Sequence, residues 1–552
     1  QMCIRDSVRI FQVQPDGTKD YKIAILPIPS VLDRIIEVPS SSNKVHRFVY
    51  LEDVISYYAI QFFQGYGIEE SMIFRLTRDA DLEIDEEDAK DLLTEVEASL
   101  RRRRRGDAVR LEVVGAGSPE LLRTVLASVE LEEKDVYHID GHLDCRMYFD
   151  FSNYPGYDNL RYKPFEPKIP SDLIGFEGEN LLDVIRNRDI FVHHPFESFS
   201  VVEQFVAQAA VDSNVLAIKQ TLYRVSGESP IIASLIKAAD NGKQVTVLME
   251  VKARFDEEHN ITMARRLEKA GCHVIYGLKG LKTHSKITMV VRREEDGIRR
   301  YVHLATGNYN GKTARIYTDW GIFKCNDEYG DDASRFFNLI SGYSDPPIWN
   351  KFIVAPLNLR ERIMDLIDEE IQCAKRGEDA YIIAKMNSLL DKKVIAKLYE
   401  ASANGVRIDL IVRGICTLRP GIAGVSDNIT VRSIVGRFLE HHRLFYFRNG
   451  GNEKIFLSSA DWMPRNLNER VELMIPIEDK RHKARIKGIL DLYLVDTLKA
   501  HLMRSDGSYY KVSNIEGPLS AQEELMEAAN TQDSREQMTV IERFKPMFKM
   551  KE

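Results

Sequence analysis

At 552 residues and 63.4 kDa the chain is too long for one hydrophobic core and calls for roughly three domains of about 100–200 residues each. A net charge of −8 and a sequence pI near 6.0 argue against a general nucleic-acid coat, which is strongly basic, and leave room for a local basic cleft that takes a small anion. The six cysteines are scattered without a Cys-x-x-Cys pair, which speaks against a disulfide framework or structural zinc site and fits a reducing, cytoplasmic compartment; no apolar run approaches the ~20 residues of a membrane span.

Gln1–Ser7 show no periodic pattern and read as a non-native leader on a fragment. From Val8 to about Tyr162 strand and helix signals alternate. Tyr21–Leu26, Ser71–Leu76 and Val109–Val114 read as strands. Asp85–Arg105 reads as an amphipathic helix with acidic residues in its first turn and the run Arg101–Arg105 in its last, a charge order that suits the helix dipole. The proline-rich stretch Lys163–Pro170 marks a boundary, so 1–170 reads as a first domain.

Beyond it the pattern becomes βα: Ile190–Val192 a strand, Ser200–Ala210 a helix, Val215–Lys219 a strand, Ser229–Asn241 a helix and Gln244–Val251 a strand. That alternation implies a parallel or mixed sheet covered on both faces. From about Phe352 the pattern repeats. Ile232–Leu248 matches Ile395–Ile411, with Ile, Ala, Leu, Ala, Asn and Gly at the same offsets and an Asn-Gly pair closing each helix. The expected domains are therefore 171–351 and 352–505, followed by a polar, partly flexible extension, 506–552.

Each half then offers a histidine, one residue and a cation at the mouth of an apolar strand: His284-Ser285-Lys286 and His441-His442-Arg443. Neutral imidazole is a nucleophile near neutral pH, and on one strand Lys282, His284 and Lys286 would share a face. Each half also has a polar loop further on, Gly307–Asn310 and Ser458–Asp461. Two lobes that each give one histidine and one polar loop would make a single site at their interface. Arg224, Arg254 and Arg413 sit where strands should end, which is where α/β sheets bind ligands, and guanidinium forks suit phosphate.

Gly307–Thr313 has one residue too few between its glycines for a P-loop, and a strand-like Ala314–Thr318 follows where a helix is required. Adjacent histidines in a strand face opposite ways, so His193-His194 and His441-His442 are poor zinc chelates. Mg²⁺ on nucleotide phosphates fits better, because it needs few protein ligands.

The segments His194-Pro-Phe-Glu-Ser-Phe, Lys219-Gln-Thr-Leu-Tyr-Arg, Lys282-Thr-His-Ser-Lys, Thr306-Gly-Asn-Tyr-Asn, Thr313-Ala-Arg-Ile-Tyr-Thr-Asp and Ser459-Ala-Asp-Trp-Met-Pro-Arg-Asn resemble bacterial polyphosphate kinase of the first type, over about residues 8–505. The resemblance implies an α/β protein, with a partial α+β head domain (1–170) followed by two duplicated phospholipase D-like α/β domains. It implies Mg²⁺-dependent, reversible transfer of the ATP γ-phosphate to inorganic polyphosphate through a phosphohistidine on His284, with His441 as the second catalytic residue. Tyr317, Arg413, His441, Lys286 and Arg470 are then the ATP- and phosphate-binding residues. Arg224 and Arg254 fall at positions the family associates with magnesium; arginine has no lone pair for a metal, so both read as clamps on the metal–phosphate complex. Lys279, Lys282, Arg465 and Arg470 are candidates to line a polyphosphate channel. The implied partners are ATP or ADP, polyphosphate and further copies of the chain in a dimer or tetramer, with peripheral membrane association at the inner face and no nucleic acid.

The family's N-terminal helical domain, with its Asn-Asn-Leu-Asp-Glu-like segment, finds no match here. Phospholipase D proper would show His-x-Lys-x-x-x-x-Asp, where this chain has Val291 in the first copy and Arg448 in the second. A phosphodiester hydrolase and a non-catalytic polyphosphate-binding scaffold remain as alternatives.

Overall fold

The computed structural model describes residues 3–40, 45–79, 92–103, 106–225, 227–253, 256–342, 347–512 and 517–531. The chain divides into two compact units, one of 1–85 and 94–163, the other of 86–93 and 164–552.

The first unit is built on β1 (Cys3–Val13), β2 (Lys19–Pro27), β3 (Ile35–Val38), β4 (Arg47–Tyr50), β5 (Gly67–Arg78), β6 (Ala108–Val114) and β7 (Val136–Ile139). Five of them form a sheet in the order β2-β1-β5-β6-β7, and β3 and β4 form a hairpin. Alternate residues of β5, Met72, Phe74 and Leu76, are buried, as a strand's two-residue period requires. They pack in one cluster with Leu121, Val125 and Leu126 of the helix Pro119–Val129. The reading of Gln1–Ser7 as patternless is corrected: Cys3–Ser7 belong to β1 and pair with β5 from Cys3↔Leu76 onward. The alternation is masked because Asp6 occupies the buried face between Ile4 and Val8, where the Ser56 hydroxyl donates to its carboxyl group. Of the expected helix Asp85–Arg105, Leu92–Arg103 is helical; residues 85–91, 104 and 105 lie outside the described residues.

In the second unit the first half supplies β8 (Ile190–His194), β9 (Val215–Leu222), β10 (Gln244–Met249), β11 (His273–Ile275), β12 (Lys282–Thr283), β13 (Lys286–Glu294), β14 (Gly297–Ala305) and β15 (Tyr317–Lys324). The second half supplies β16 (Ile353–Ala355), β17 (Tyr381–Met386), β18 (Arg407–Val412), β19 (Ile429–Ile434), β20 (Leu439–Glu440), β21 (Arg443–Phe447), β22 (Lys454–Ser458), β23 (Arg470–Ile477), β24 (Ala500–Met503) and β25 (Tyr509–Lys511). The first sheet runs β11-β10-β9-β13-β14-β15 with β8 on β15, and the second runs β19-β18-β17-β21-β22-β23 with β16 on β23. In both, the first three strands are mutually parallel and the rest pair antiparallel. The duplication seen in Ile232–Leu248 and Ile395–Ile411 is thus a duplication of topology. Its helices, Pro230–Asp240 and Lys392–Ala403, are capped by Asn241 and Asn404, and the glycines that follow take the left-handed φ of 79° and 89° that a helix stop favours.

One apolar cluster joins Met289, Leu304 and Trp320 of the first sheet to Leu444, Leu457 and Leu473 of the second. Each such side chain contributes roughly 1.5–3 kcal/mol when fully buried, so the two sheets form one continuous core. At its edge the lobes exchange strands. The two-residue β12 leaves the first half to pair in parallel with β23, and the two-residue β20 leaves the second half to pair in parallel with β15.

Two further expectations are corrected. Ala314–Thr318 is not a single strand: Thr313–Arg315 is a 3₁₀ turn and β15 begins at Tyr317. The segment after Arg504 is not merely a polar extension, since β25 adds to the second sheet through β24 and the helix Ala521–Thr531 buries Ala521, Leu525 and Ala529 in the shared core. That stripe is two-thirds alanine and so carries little hydrophobic signal in the sequence. Residues 513–516 and 532–552 lie outside the described residues. Among the described residues no helix is long and apolar enough to cross a membrane.

Candidate active site

The strand exchange is what sets the histidines in place. Ahead of His284, the Lys252 ammonium donates to the Leu278 and Leu281 carbonyls at 2.9 Å each, and buried Glu250 accepts the Thr283 N–H at 2.6 Å. The chain then crosses to the other lobe, where the His284 and Ser285 N–H groups both donate to the Val471 carbonyl at 2.9 Å. It returns as β13 from Lys286. Lys282, His284 and Lys286 therefore do not lie on one strand, as their spacing implies: Lys282 belongs to the second sheet, Lys286 to the first, and His284 sits at the crossover. His441 is delivered in the mirrored way. Leu439 N–H donates to the Ile316 carbonyl at 2.9 Å, His441 N–H donates to the Thr318 hydroxyl at 3.1 Å, and β21 starts two residues later.

Each imidazole meets a carboxylate supplied by the opposite lobe. His284 Nδ1 lies 2.9 Å from Glu472 Oε2, and His441 Nδ1 lies 2.8 Å from Asp319 Oδ1. Glu472 and Asp319 are the third residues of β23 and β15, so they occupy equivalent places in the two copies. The pairing fixes the tautomer: Nδ1–H donates to the carboxylate and Nε2 keeps its lone pair. Glu472 is completely buried and also accepts from the Ser459 hydroxyl and, at 3.1 Å, from Asn466 Nδ2.

The electrostatics keep His284 neutral. Burial is the largest cause, and the charges of Lys286, Arg470, Arg443 and His441 add to it, holding the imidazole well below its usual value of 6.5. Burial pushes the Glu472 carboxyl up to about 7, opposed by Lys286 and Arg470. Asp319 is buried as well, yet the His441 charge and the hydrogen bonds from His441 and Thr306 bring it below the ordinary carboxylate value. Burial lowers His441, with Asp319 acting in the opposite direction. Lys286 is 2% exposed, donates to the His284 carbonyl and is held well below a normal lysine by burial. Arg443 donates to the His441 carbonyl at 2.7 Å and to Asp461 at 3.0 Å, which fills the polar-loop role expected of Ser458–Asp461. In the first copy the loop packs closer: a Cβ on Gly307 would meet the Asp319 carboxylate at 2.5 Å, so only glycine fits there.

The remaining sequence candidates fall around this core. The Tyr317 ring lies 5.2 Å from that of His441. Arg413 follows β18 directly and donates to Asn387 Oδ1 at 2.7 Å. Arg470 opens β23, 4.0 Å from Glu472. Arg224 follows β9 beside Tyr223, whose ring meets His284 edge-on at 5.0 Å, and pairs with Asp256 at 2.8 Å. Arg254 lies outside the described residues. Lys279 and Arg465 are exposed and Lys282 half-buried. Arg465 shares the short helix Pro464–Asn468 with Asn466, the donor to Glu472. Sequence reasoning missed Glu472, Asp319 and Asn466 as site residues. The readable signal was the repeat itself: Tyr317-Thr-Asp319 and Arg470-Val-Glu472 place a carboxylate at the same step of each last strand.

Among the described residues no group of three His, Cys, Asp or Glu side chains is placed to hold a metal ion. Glu472, Asp319 and Asp461 are each engaged by histidine or arginine. Among the described residues these three carboxylates therefore do not form a ready ligand set for a metal ion.

Comparisons with known proteins identify the family. The model of the polyphosphate kinase middle domain matches residues 6–151, that of polyphosphate kinase C-terminal domain 1 matches 180–346, and that of C-terminal domain 2 matches 352–522. The polyphosphate kinase of Halalkalibacterium halodurans is 53% identical over 506 residues, 91% of this chain and 71% of that protein. The chain belongs to the polyphosphate kinase family. The Bacillus anthracis polyphosphate kinase is also 53% identical, over 89% of this chain and 70% of its own length. The crystal structure of polyphosphate kinase from Porphyromonas gingivalis superposes with a TM-score of 0.83 at 32% identity, covering 96% of this chain and 78% of that one. In the frame of the polyphosphate kinase models, His284 lies in C-terminal domain 1 and its carboxylate partner Glu472 in domain 2. For His441 and Asp319 the domains are reversed.

Proposed function

We propose that this chain transfers the γ-phosphate of ATP reversibly to the end of inorganic polyphosphate by way of a phosphohistidine on His284. The observation that carries the reading is a buried, neutral imidazole oriented by a carboxylate on Nδ1 and acted on by the charges of Lys286, Arg470, Arg443 and His441. In the first step Nε2 attacks the γ-phosphorus in line, the bond to the β–γ bridging oxygen breaks and ADP leaves. Nδ1–H stays on the ring, and Glu472 balances the positive charge that develops there. In the second step a terminal oxygen of polyphosphate attacks the same phosphorus, and the N–P electron pair returns to His284.

His441 serves the leaving oxygen as acid and the reverse reaction as base, a role typically worth about 10²–10⁴-fold. Incoming phosphate charge, like Asp319, favours its protonated form. Tyr317, Arg413 and His441 face the nucleotide, while Arg224, Arg254, Arg470 and Lys286 neutralise the transferring phosphoryl group. Lys279, Lys282, Arg465 and Arg470 would guide the polyphosphate. Mg²⁺ carried on the nucleotide would screen its phosphates. Assembly as a dimer or tetramer and a cytoplasmic, membrane-peripheral location belong to the same reading and rest on the family resemblance.

The test is ADP formation with and without polyphosphate. Primer-dependent ADP release matched by polyphosphate growth is the expected result. Phosphate released to water would mark a hydrolase, and polyphosphate retention without turnover a scaffold.

A pH dependence follows from Glu472. Its carboxyl titrates at about 7, above an ordinary glutamate, and orients His284 as the carboxylate. Transfer should therefore be lost as pH falls through about 7. In Glu472→Gln the rate should be lower by roughly 10²-fold or more and the acid limb near pH 7 should disappear, because burial holds His284 itself neutral. An acid limb unchanged by Glu472→Gln would contradict this role.

A further inference from the structure

The helix Ala521–Thr531 turns one polar side chain into the core, Gln522, which is 1% exposed. Its amide is used wholly on the segment that delivers His441. Gln522 Oε1 accepts the Phe438 N–H at 2.9 Å, and Nε2 donates to the Phe438 carbonyl at 2.9 Å and to Glu440 Oε1 at 2.6 Å. Gly436 makes room for it, since a Cβ there would stand 2.5 Å from Gln522 Oε1.

The bonds continue toward the histidine. Glu440 Oε2 accepts from the Lys385 ammonium at 2.8 Å, with both side chains 2% exposed, and from the Thr318 hydroxyl at 3.0 Å. Thr318 Oγ1 in turn accepts the His441 N–H at 3.1 Å and lies 3.0 Å from His442 Nδ1. An unbroken path thus runs from Gln522 through Glu440 and Thr318 to the backbone of His441, whose ring is held against Asp319. β20 pairs with β15 through only two residues, too short a ladder to fix a side chain to the roughly 0.5 Å that a reacting constellation requires. Without the Gln522 amide, the Phe438 N–H, the Phe438 carbonyl and Glu440 Oε1 would lose buried partners, and a buried polar group left unpaired drives local rearrangement.

We propose that Gln522 is a positioning residue for His441, so that a helix contributed by neither set of duplicated strands sets the alignment of the second histidine. The inference rests on the part proposed for His441 in the transfer. Two variants test it. Gln522→Met keeps the length and removes all three bonds. Gln522→Glu keeps the acceptor for the Phe438 N–H, has at most one hydrogen left to donate and sets a second carboxyl group against Glu440.

The first readout is the downfield Nδ1 proton resonance of His441, assigned by its loss in His441→Gln. It should shift or broaden in both Gln522 variants while melting stays cooperative. In turnover, kcat should fall about 10–100-fold with KM for ATP changed less than about threefold. In a His441→Gln background, Gln522→Met should cost less than about twofold, because residues acting through one group are not additive. An unmoved His441 resonance with full kcat would overturn the proposal, and so would an equal loss of rate in both backgrounds, which marks a general loosening. The resonance needs no turnover, so a chain that fails as a kinase and a helix that fails to position His441 give different results.

Discussion

His284→Ala should abolish phosphoenzyme formation from γ-labelled ATP and lower polyphosphate synthesis by at least about 10⁴-fold, the scale of losing a nucleophile. In the proposed reaction Nε2 of His284 takes the phosphoryl group, and its nearest described nucleophiles on the same lobe are not placed to replace it. Tyr223 meets it only edge-on, and Lys286 holds its ammonium on the His284 carbonyl. The fold should survive the change. Glu472 keeps the Ser459 and Asn466 donors, and the N–H groups that donate to Val471 belong to the backbone. Melting by circular dichroism should therefore remain cooperative, which separates lost chemistry from lost structure. Labelling of the alanine variant at the native level would remove His284 from the reaction.

His441→Gln should slow transfer by about 10²–10⁴-fold, the range of a general acid–base residue, and should differ in kind from the first variant. Nucleophile, carboxylate and neighbouring cations all remain, so phosphoenzyme should still form, only slowly, and should reach a similar final level. Glutamine keeps a polar group near Asp319 and lets the Thr306 hydroxyl bond at 2.7 Å persist. Rapid-quench time courses report the rate and the amplitude separately. A normal rate would contradict the acid–base role, and a vanished amplitude would give His441 a share in holding the phosphoryl group.

The sequence made some of this site legible and hid the rest for physical reasons. The duplication was visible because Asn-Gly helix stops and their apolar spacing recur in Ile232–Leu248 and Ile395–Ile411, and the structure extends it to two sheets of one topology. The two histidines stood out as equivalent because each precedes an apolar strand by two residues. The carboxylates did not stand out. Glu472 lies 188 positions from the histidine it orients and Asp319 lies 122 from His441, and both approaches depend on β12 and β20, two-residue strands too short to leave a periodic trace. The same brevity made Lys282, His284 and Lys286 look like one strand face when they straddle two sheets. Gln522 was hidden in a segment whose buried stripe is mainly alanine, so its composition resembles a solvated tail. Asp6 hid the start of β1 in the same way, a polar side chain on an inward face.

The central claim, a covalent phosphoryl group on His284, is tested most directly by mixing the native chain with γ-labelled ATP without polyphosphate, quenching in alkali and mapping the label by mass spectrometry. Phosphohistidine chemistry predicts one acid-labile, base-stable phosphate on the peptide containing Lys282–Lys286, which disappears on addition of polyphosphate as the polymer gains it. Transfer of label from ATP to polyphosphate at full rate, with no phosphate on His284 at any time, would contradict it.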